Sequence, residues 1–90
     1  MTAAPRGAAN LASLAVGASA PVLLLALPER EAAWLRAVGL VEGITVTPLR
    51  KAPFGGPVHV RLSSGLELAL DRALARAVLV QVAAPVPALP

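Results

Sequence analysis

The residue types that most often carry chemistry in proteins are scarce in this 90-residue sequence. It contains no Cys and no Tyr, and His59 is its one histidine. A transition-metal site needs several sulfur or imidazole ligands, so a single chain is not expected to enclose a metal ion. His59 lies in an alternating segment, which favours a solvent-facing strand residue. The alternatives are half of a metal site completed by a second chain, or a contact with a partner.

Acid–base and nucleophilic catalysis also lack their usual groups. The acidic residues form no EF-hand pattern and no obvious pair for proton transfer. The serines fall on predicted turns without a partnering base, and the glycine motifs that bind phosphate are missing. The acidic residues are Glu29, Glu31, Glu42, Glu67 and Asp71. We therefore predict that the protein is not an enzyme, has no catalytic residues and needs no cofactor.

Residues better suited to recognition lie in one turn-rich segment, 50–57. Phe54 stands there between a proline and two glycines. An exposed aromatic on such a loop is a typical anchor for a protein partner; the interpretation favoured here is that the ring folds down as a lid over one end of the fold. Arg50 and Lys51 form the single adjacent basic pair, which is either a solvated rim or a means of steering an acidic partner.

Composition predicts one small domain with an aliphatic core. Hydrophobic residues make up 57% of the chain, and only Trp34 and Phe54 are aromatic. The net charge is +3, but the basic residues are scattered, whereas nucleic-acid-binding proteins usually cluster them on one face. We therefore expect that the protein does not bind nucleic acid. A nucleic-acid-binding module is kept as the alternative function. The absence of Cys fits a reducing cytoplasm.

The uncharged stretch from Gly7 to Pro28 raises the question of a membrane or an export signal. It is long enough to span a bilayer, which takes about 20 residues, but glycines, prolines and polar residues interrupt it. A removed signal peptide is the sharper alternative, with a cleavage motif at 18–20. Pro21 directly after that motif is a poor cleavage substrate. We expect instead a disordered start, a buried first strand and no insertion into a membrane.

The segment 28–38 predicts the one clear helix. Three apolar residues at three-residue spacing form its inner stripe: Ala32, Leu35 and Val38. Gly39 supplies the left-handed residue that ends a helix, and Leu40 can fold back onto Leu35 as in a Schellman cap. Trp34 is expected to contact the sheet, with a binding role as the alternative. A helix this short is not stable alone, so it must dock on other elements.

Five short segments predict strands, and their tight connections favour a small closed barrel. The strands are 21–26, 44–49, 57–62, 66–70 and 77–82. Pro48 suggests an edge position or the end of its strand, because it cannot donate to a ladder. Asp71 can cap a short helical turn before the last strand. Residues 1–10 are predicted to be disordered, 11–82 to form the domain and 83–90 to be a flexible proline-rich tail.

Several of these elements, in order, resemble one known family. Leu14 and Gly17 precede the first strand, and the helix ends in Leu-x-x-x-Gly-Leu at 35–40. An Ala-Pro-x-Gly-x-Pro segment follows at 52–57, and a Leu-Ala-Leu strand at 68–70. Together they resemble the FeoA domain, the small cytoplasmic component of the Feo ferrous iron uptake system. The family usually has a basic residue directly after Leu-Ala-Leu, where this chain has Asp71 and then Arg72.

The resemblance implies a mainly β fold, an SH3-like barrel of about five strands with a helix after the first. It also implies a cytoplasmic, non-enzymatic accessory role in ferrous iron transport, through contact with the G-protein domain of the membrane transporter FeoB. We place the contact surface on two groups of residues: Gly39 and Leu40, and Ala52, Pro53, Phe54, Gly55 and Pro57. No metal ligand is assigned, and a weak homo-oligomer and a small exported protein stay open.

Overall fold

Alternation of apolar and polar residues sets most of the strands, and Gly, Pro or Ser marks the turns between them. The structure, a computed structural model, describes residues 7–82. In chain order its elements are β1 Ala8–Asn10, a 3-10 helix Leu11–Ser13, β2 Ala20–Leu25, α1 Glu29–Ala37, β3 Thr45–Lys51, β4 Val58–Leu62, β5 Glu67–Leu70, α2 Arg72–Ala77 and β6 Val78–Gln81. Every predicted strand and the predicted helix are present, and one further strand precedes them.

The strands form one antiparallel sheet in the order β1-β6-β2-β3-β4-β5. The mainly β prediction is confirmed. Full closure was expected and is wrong for the described residues, in which β1 and β5 are edge strands that do not pair with each other. The buried residues of the sheet nevertheless form one core cluster. Strand β2 links the two parts of the sheet, since it pairs with β6 on one side and with β3 on the other.

The prediction of disorder for residues 1–10 is wrong at its C-terminal end. Residues 8–10 form β1, which pairs with β6 from Ala8 opposite Gln81 to Asn10 opposite Leu79. The side chain of Asn10 then accepts a hydrogen bond from the Ser13 backbone N–H and caps the 3-10 helix. Short small-residue strands of this kind carry almost no local signal, because the pairing partner lies some 70 residues away. Residues 1–6 and the predicted tail 83–90 lie outside the described residues.

Strand β3 is longer than predicted and lies inside the sheet rather than at its edge. It runs on to Lys51, with a register shift between Pro48 and Arg50. The pairing of β2 with β3 covers only residues 20–21 and 45–46, so it has ended before Pro48 is reached. The Pro48 carbonyl accepts a hydrogen bond from Gly17 N–H at 2.8 Å instead. The missing proline N–H therefore breaks no ladder bond, which explains how Pro48 is tolerated there.

The core is aliphatic, as composition predicted. All three inward residues of β4, Val58, Val60 and Leu62, are buried. On β5 the predicted apolar face is only partly buried: Leu70 belongs to the core, whereas Leu66 lies before the strand and is exposed. Asp71 caps α2 through a hydrogen bond from Ala73 N–H, as predicted, and the helix continues to Ala77.

Helix α1 docks through Ala32 and Leu35, which are buried, while Val38 is half-buried. It ends as predicted: Gly39 has φ +107°, and the backbone N–H groups of Gly39 and Leu40 donate to the carbonyls of Arg36 and Leu35. These two bonds define a Schellman motif. Trp34 is 57% exposed and is not part of the core, so the expectation of a core position is wrong.

Candidate functional site

The segment 52–57 continues the β3–β4 hairpin to a tight tip. Ala52 N–H donates to the Pro57 carbonyl at 3.0 Å, and Gly56 N–H donates to the Pro53 carbonyl at 3.1 Å. Between them, Phe54 has φ +59° and Gly55 has φ +75°. Positive φ at both central positions is the signature of a type I′ turn, which suits the twist of a hairpin. The predicted loop is thus a two-residue turn, which we call the tip.

Phe54 is fully exposed at this tip. The favoured interpretation, in which its ring folds down as a lid, is therefore wrong. At this exposure the ring packs against no buried side chain of residues 7–82. Phe54 is also the one non-glycine residue with positive φ among the described residues. An aromatic side chain is thus held in water on a backbone conformation that favours glycine or asparagine.

Arg72 holds the tip in place from the other side. Its Nε donates to the Gly56 carbonyl and its Nη2 to the Ala52 carbonyl, both at 2.9 Å, and this contact is partly buried. Both acceptors lie on the segment that carries Phe54, so the guanidinium fixes two points of one turn. Sequence reasoning missed this role. The available signal was a basic residue directly after the residue that caps α2.

Gly56 is required by close backbone approach rather than by an unusual φ. A Cβ at this position would lie 2.7 Å from the Cβ of Ala52 and 3.2 Å from the Pro53 carbonyl oxygen. Real Cβ atoms do not come that close, so a side chain would push the two arms of the hairpin apart. Gly56 therefore keeps the tip narrow.

A groove of about 370 Å³ lies beside the tip. In the sheet, His59 stands between Arg50 on β3 and Ala69 on β5, and the small side chain of Ala69 leaves room there. The groove is lined by Arg50, Lys51, Ala52, Pro53, Pro57, His59 and Ala69. It thus joins the predicted basic pair, the predicted loop and the one histidine in a single surface.

His59 bridges the groove to a neighbouring charged pair. Its Nδ1 lies 3.4 Å from Nη2 of Arg50, and its Nε2 lies 3.3 Å from Oε1 of Glu67. Glu67 also accepts from Arg61 at 3.4 Å. A ring that accepts at Nδ1 and donates at Nε2 satisfies both of its contacts. The expectation of a solvent-facing strand residue fits this half-buried position. Among residues 7–82 there is no group of three or more metal-ligating side chains.

The two predicted groups of contact residues do not come together. Gly39 lies near Leu62 and Leu66, at the end of β4 away from the tip. Four residue steps along β4, about 13 Å, separate the levels of the two groups. Leu40 is moreover 0% exposed, so its side chain belongs to the core and offers a partner nothing. The structure thus leaves the tip as the exposed member of the predicted surface.

The helix end has its own electrostatic contacts. Arg36 donates to Glu42 from Nε at 3.2 Å and from Nη2 at 2.9 Å, and from Nη1 to Glu29 at 3.2 Å. The hydrogen bonds from Arg36 lower the pKa of Glu42 below its ordinary value of 4.5. This bidentate contact ties the helix to the turn after it and engages no residue of the tip.

The comparisons with known proteins agree with this architecture. A family model, the FeoA domain, matches residues 9–82. The chain belongs to the FeoA domain family. The solution structure of FeoA from Chlorobium tepidum is 32% identical, with a TM-score of 0.75, over 83% of this chain and 70% of that one. No curated protein sequence matches the chain significantly.

A second FeoA structure identifies the type of fold. FeoA from Stenotrophomonas maltophilia, in complex with zinc, is 30% identical with a TM-score of 0.66, over 80% of this chain and 88% of that one. That protein is described as an SH3 domain protein and as a candidate activating factor of ferrous iron transport. The SH3-like prediction is confirmed, and this chain is a FeoA-type protein associated with ferrous iron transport.

A third similarity concerns the fold alone. A manganese-dependent transcriptional repressor is 17% identical with a TM-score of 0.78, and the match covers 89% of this chain but only 44% of the repressor. The same fold therefore also occurs as one part of a larger protein. Among the described residues, no helix is both long enough and apolar enough to cross a bilayer.

Proposed function

We propose that this FeoA-family protein is a non-enzymatic accessory protein of ferrous iron transport that acts in the cytoplasm. It works by binding the G-protein domain of a FeoB-type membrane transporter, and the tip at 52–57 makes the central contact. Gly39 and the core residue Leu40 are left out of this contact, since they lie at the other end of β4. The partner rests on the family membership, and the surface rests on the geometry of the tip.

One observation carries the choice of surface, namely the fully exposed ring of Phe54 on a left-handed backbone. An aromatic side chain that stays exposed to solvent does not stabilise the fold. Its strained backbone is also unfavourable by roughly 1 kcal/mol. Strain that persists at an exposed position points to a use outside folding. A ring presented on a turn that Arg72 holds rigid is preorganised for burial in a partner.

The test is the affinity of the chain for the isolated G-protein domain of the transporter, measured by isothermal titration calorimetry. The substitution Phe54→Ala removes the ring and leaves the core untouched. We expect an affinity loss of about tenfold or more, which corresponds to roughly 1.4 kcal/mol or more for an interface anchor.

Trp34→Ala is the matched control, because it removes an exposed aromatic from α1 instead of the tip. Its affinity should stay within about twofold of the wild type. Circular dichroism would show that both variants fold. Equal affinity of Phe54→Ala and the wild type would remove the tip from the proposed interface.

A further inference from the structure

The groove beside the tip carries positive charge that the described residues do not neutralise. Arg50 and Lys51 line it. Within residues 7–82, ion pairs with carboxylates are made by Arg36 and Arg61, but by neither of these two. In the described part of the chain, the one hydrogen bond of the Arg50 side chain is to the His59 ring, at 3.4 Å, and most of its five N–H donors make no other hydrogen bond there.

Apart from His59, the remaining lining of the groove is apolar. Two prolines and two alanines, Pro53, Pro57, Ala52 and Ala69, line it together with the basic pair. Prolines and alanines lose little side-chain entropy on binding, so this part of the groove is rigid before any ligand arrives. A cavity of about 370 Å³ is at the lower end of the range for ligand pockets and holds one or two side chains.

The charge distribution around the groove favours a protein over a nucleic acid. Glu67 lies beyond His59 on the same face and is bonded to His59 and Arg61. A phosphate backbone that ran on across the sheet past Arg50 and Lys51 would meet this carboxylate, and the next cation there, Arg61, is already paired with it. A short acidic side chain needs no more than those two cations. Nucleic-acid surfaces, by contrast, collect many basic residues on one face.

We propose that the groove binds an acidic segment of the partner protein. A carboxylate of that segment accepts hydrogen bonds from the guanidinium of Arg50 and pairs with the ammonium of Lys51. An adjacent apolar side chain packs on Pro53 and on the ring of Phe54. This inference deepens the proposed function by naming the chemistry of the surface that the G-protein domain must offer.

Two double variants with the same change in net charge test the groove in binding to the G-protein domain. Arg50→Ala with Lys51→Ala removes both groove cations. Arg30→Ala with Arg76→Ala removes two exposed cations from α1 and α2, away from the groove lining. The groove variant should bind about fivefold more weakly, as expected for two surface ion pairs. The control variant should change the affinity less than twofold, and equal losses in the two variants would overturn the inference.

A second measurement tests whether the groove binds an acidic peptide, independently of the transporter. The probe is a capped hexapeptide of alternating Glu and Leu, titrated into the ¹⁵N-labelled full chain, and the controls are the same peptide with Gln for Glu and a single-stranded dT6 oligonucleotide. We expect the Glu peptide to shift the amide signals of Lys51, His59 and Ala69, and the shifts to weaken as salt rises. Equal shifts with the Gln peptide, or larger ones with dT6, would overturn the inference.

The two measurements separate the inference from the function on which it rests. If the wild-type chain fails to bind the G-protein domain, the proposed function fails, while the peptide titration still decides the groove. If the domain binds but the groove variant behaves as its control does, the function stands and the acidic groove is wrong.

Discussion

At the scale of single residues, two features of Phe54 are unfavourable, and no contact within the fold compensates for them. The first central position of a type I′ turn has positive φ, and asparagine is far better suited to it than phenylalanine, because its short polar side chain tolerates the left-handed region. Phe54 has φ +59° and a fully exposed ring. A sequence chosen for stability alone would not place an aromatic there.

Phe54→Asn should therefore separate stability from binding. We expect the free energy of unfolding to rise by about 0.5 kcal/mol, since asparagine relieves backbone strain and no packing is lost. Affinity for the G-protein domain should fall as far as it does in Phe54→Ala, which keeps the strain. Urea denaturation and calorimetry measure the two quantities. An asparagine variant that binds like the wild type would show that the turn, not the ring, is recognised.

The residues of the tip were predictable, but what holds them was not. A lone aromatic between proline and glycines is a local pattern, and the sequence alone favours an exposed or a capping ring there. Arg72 bonds the Gly56 carbonyl 16 residues away and the Ala52 carbonyl 20 residues away. Such a contact depends on how β5 and α2 place a side chain in space. The sequence shows a basic residue after Asp71, but not which carbonyls it bonds.

At the scale of elements, the end of α1 was fully predictable because its signals are local. Gly39 and Leu40 follow the last helical turn, and the Schellman bonds form between residues at most five positions apart. Trp34 was misplaced for a related reason. Helical spacing shows that Ala32 and Leu35 share a face, but the width of that face depends on the sheet it meets. The sheet covers only those two residues fully.

The contact between Arg36 and Glu42 makes the helix end sensitive to acid. Because the pKa of Glu42 is lowered in the folded state, its carboxylate contributes stability above its ordinary pKa of 4.5, and the contribution disappears as pH falls through the folded value. The stability difference between the wild type and Glu42→Gln should thus be constant near neutral pH and shrink below pH 4.5. Urea denaturation at neutral and acidic pH measures it.

A double-mutant cycle isolates this effect from the other carboxylates. In an Arg36→Gln background, the main donor that lowers the pKa of Glu42 is gone and a backbone hydrogen bond remains, so the pH dependence of adding Glu42→Gln should become smaller. A pH dependence of unchanged size in this background would assign the acid sensitivity to another partner of Glu42.

At the scale of the whole molecule, the sequence indicated a barrel-like sheet with an aliphatic core but not which strands form its edges. Periodicity found the central strands, since each buries alternate residues on one face. It gave no hint of β1, whose three small residues become a strand only by lying along β6. The prediction of a closed barrel also applied a general tendency of edge strands too widely. Edge strands tend to be covered, but β1 and β5 remain separate edges within the described residues.

The N-terminal segment matters to the whole molecule through Leu11. This residue follows β1 on the 3-10 helix, is 0% exposed and belongs to the central core cluster. Leu11→Ala should lower the free energy of unfolding by about 3 kcal/mol, a large part of the roughly 5–10 kcal/mol that holds a small domain together.

Leu24→Ala makes the same chemical change on β2, where Leu24 is 49% exposed, and should lower the free energy of unfolding by less than about 1 kcal/mol. Urea denaturation compares the two variants directly. Because the residue types are identical, the difference measures burial alone, and equal losses would mean that the segment before β2 does not pack against the core in solution.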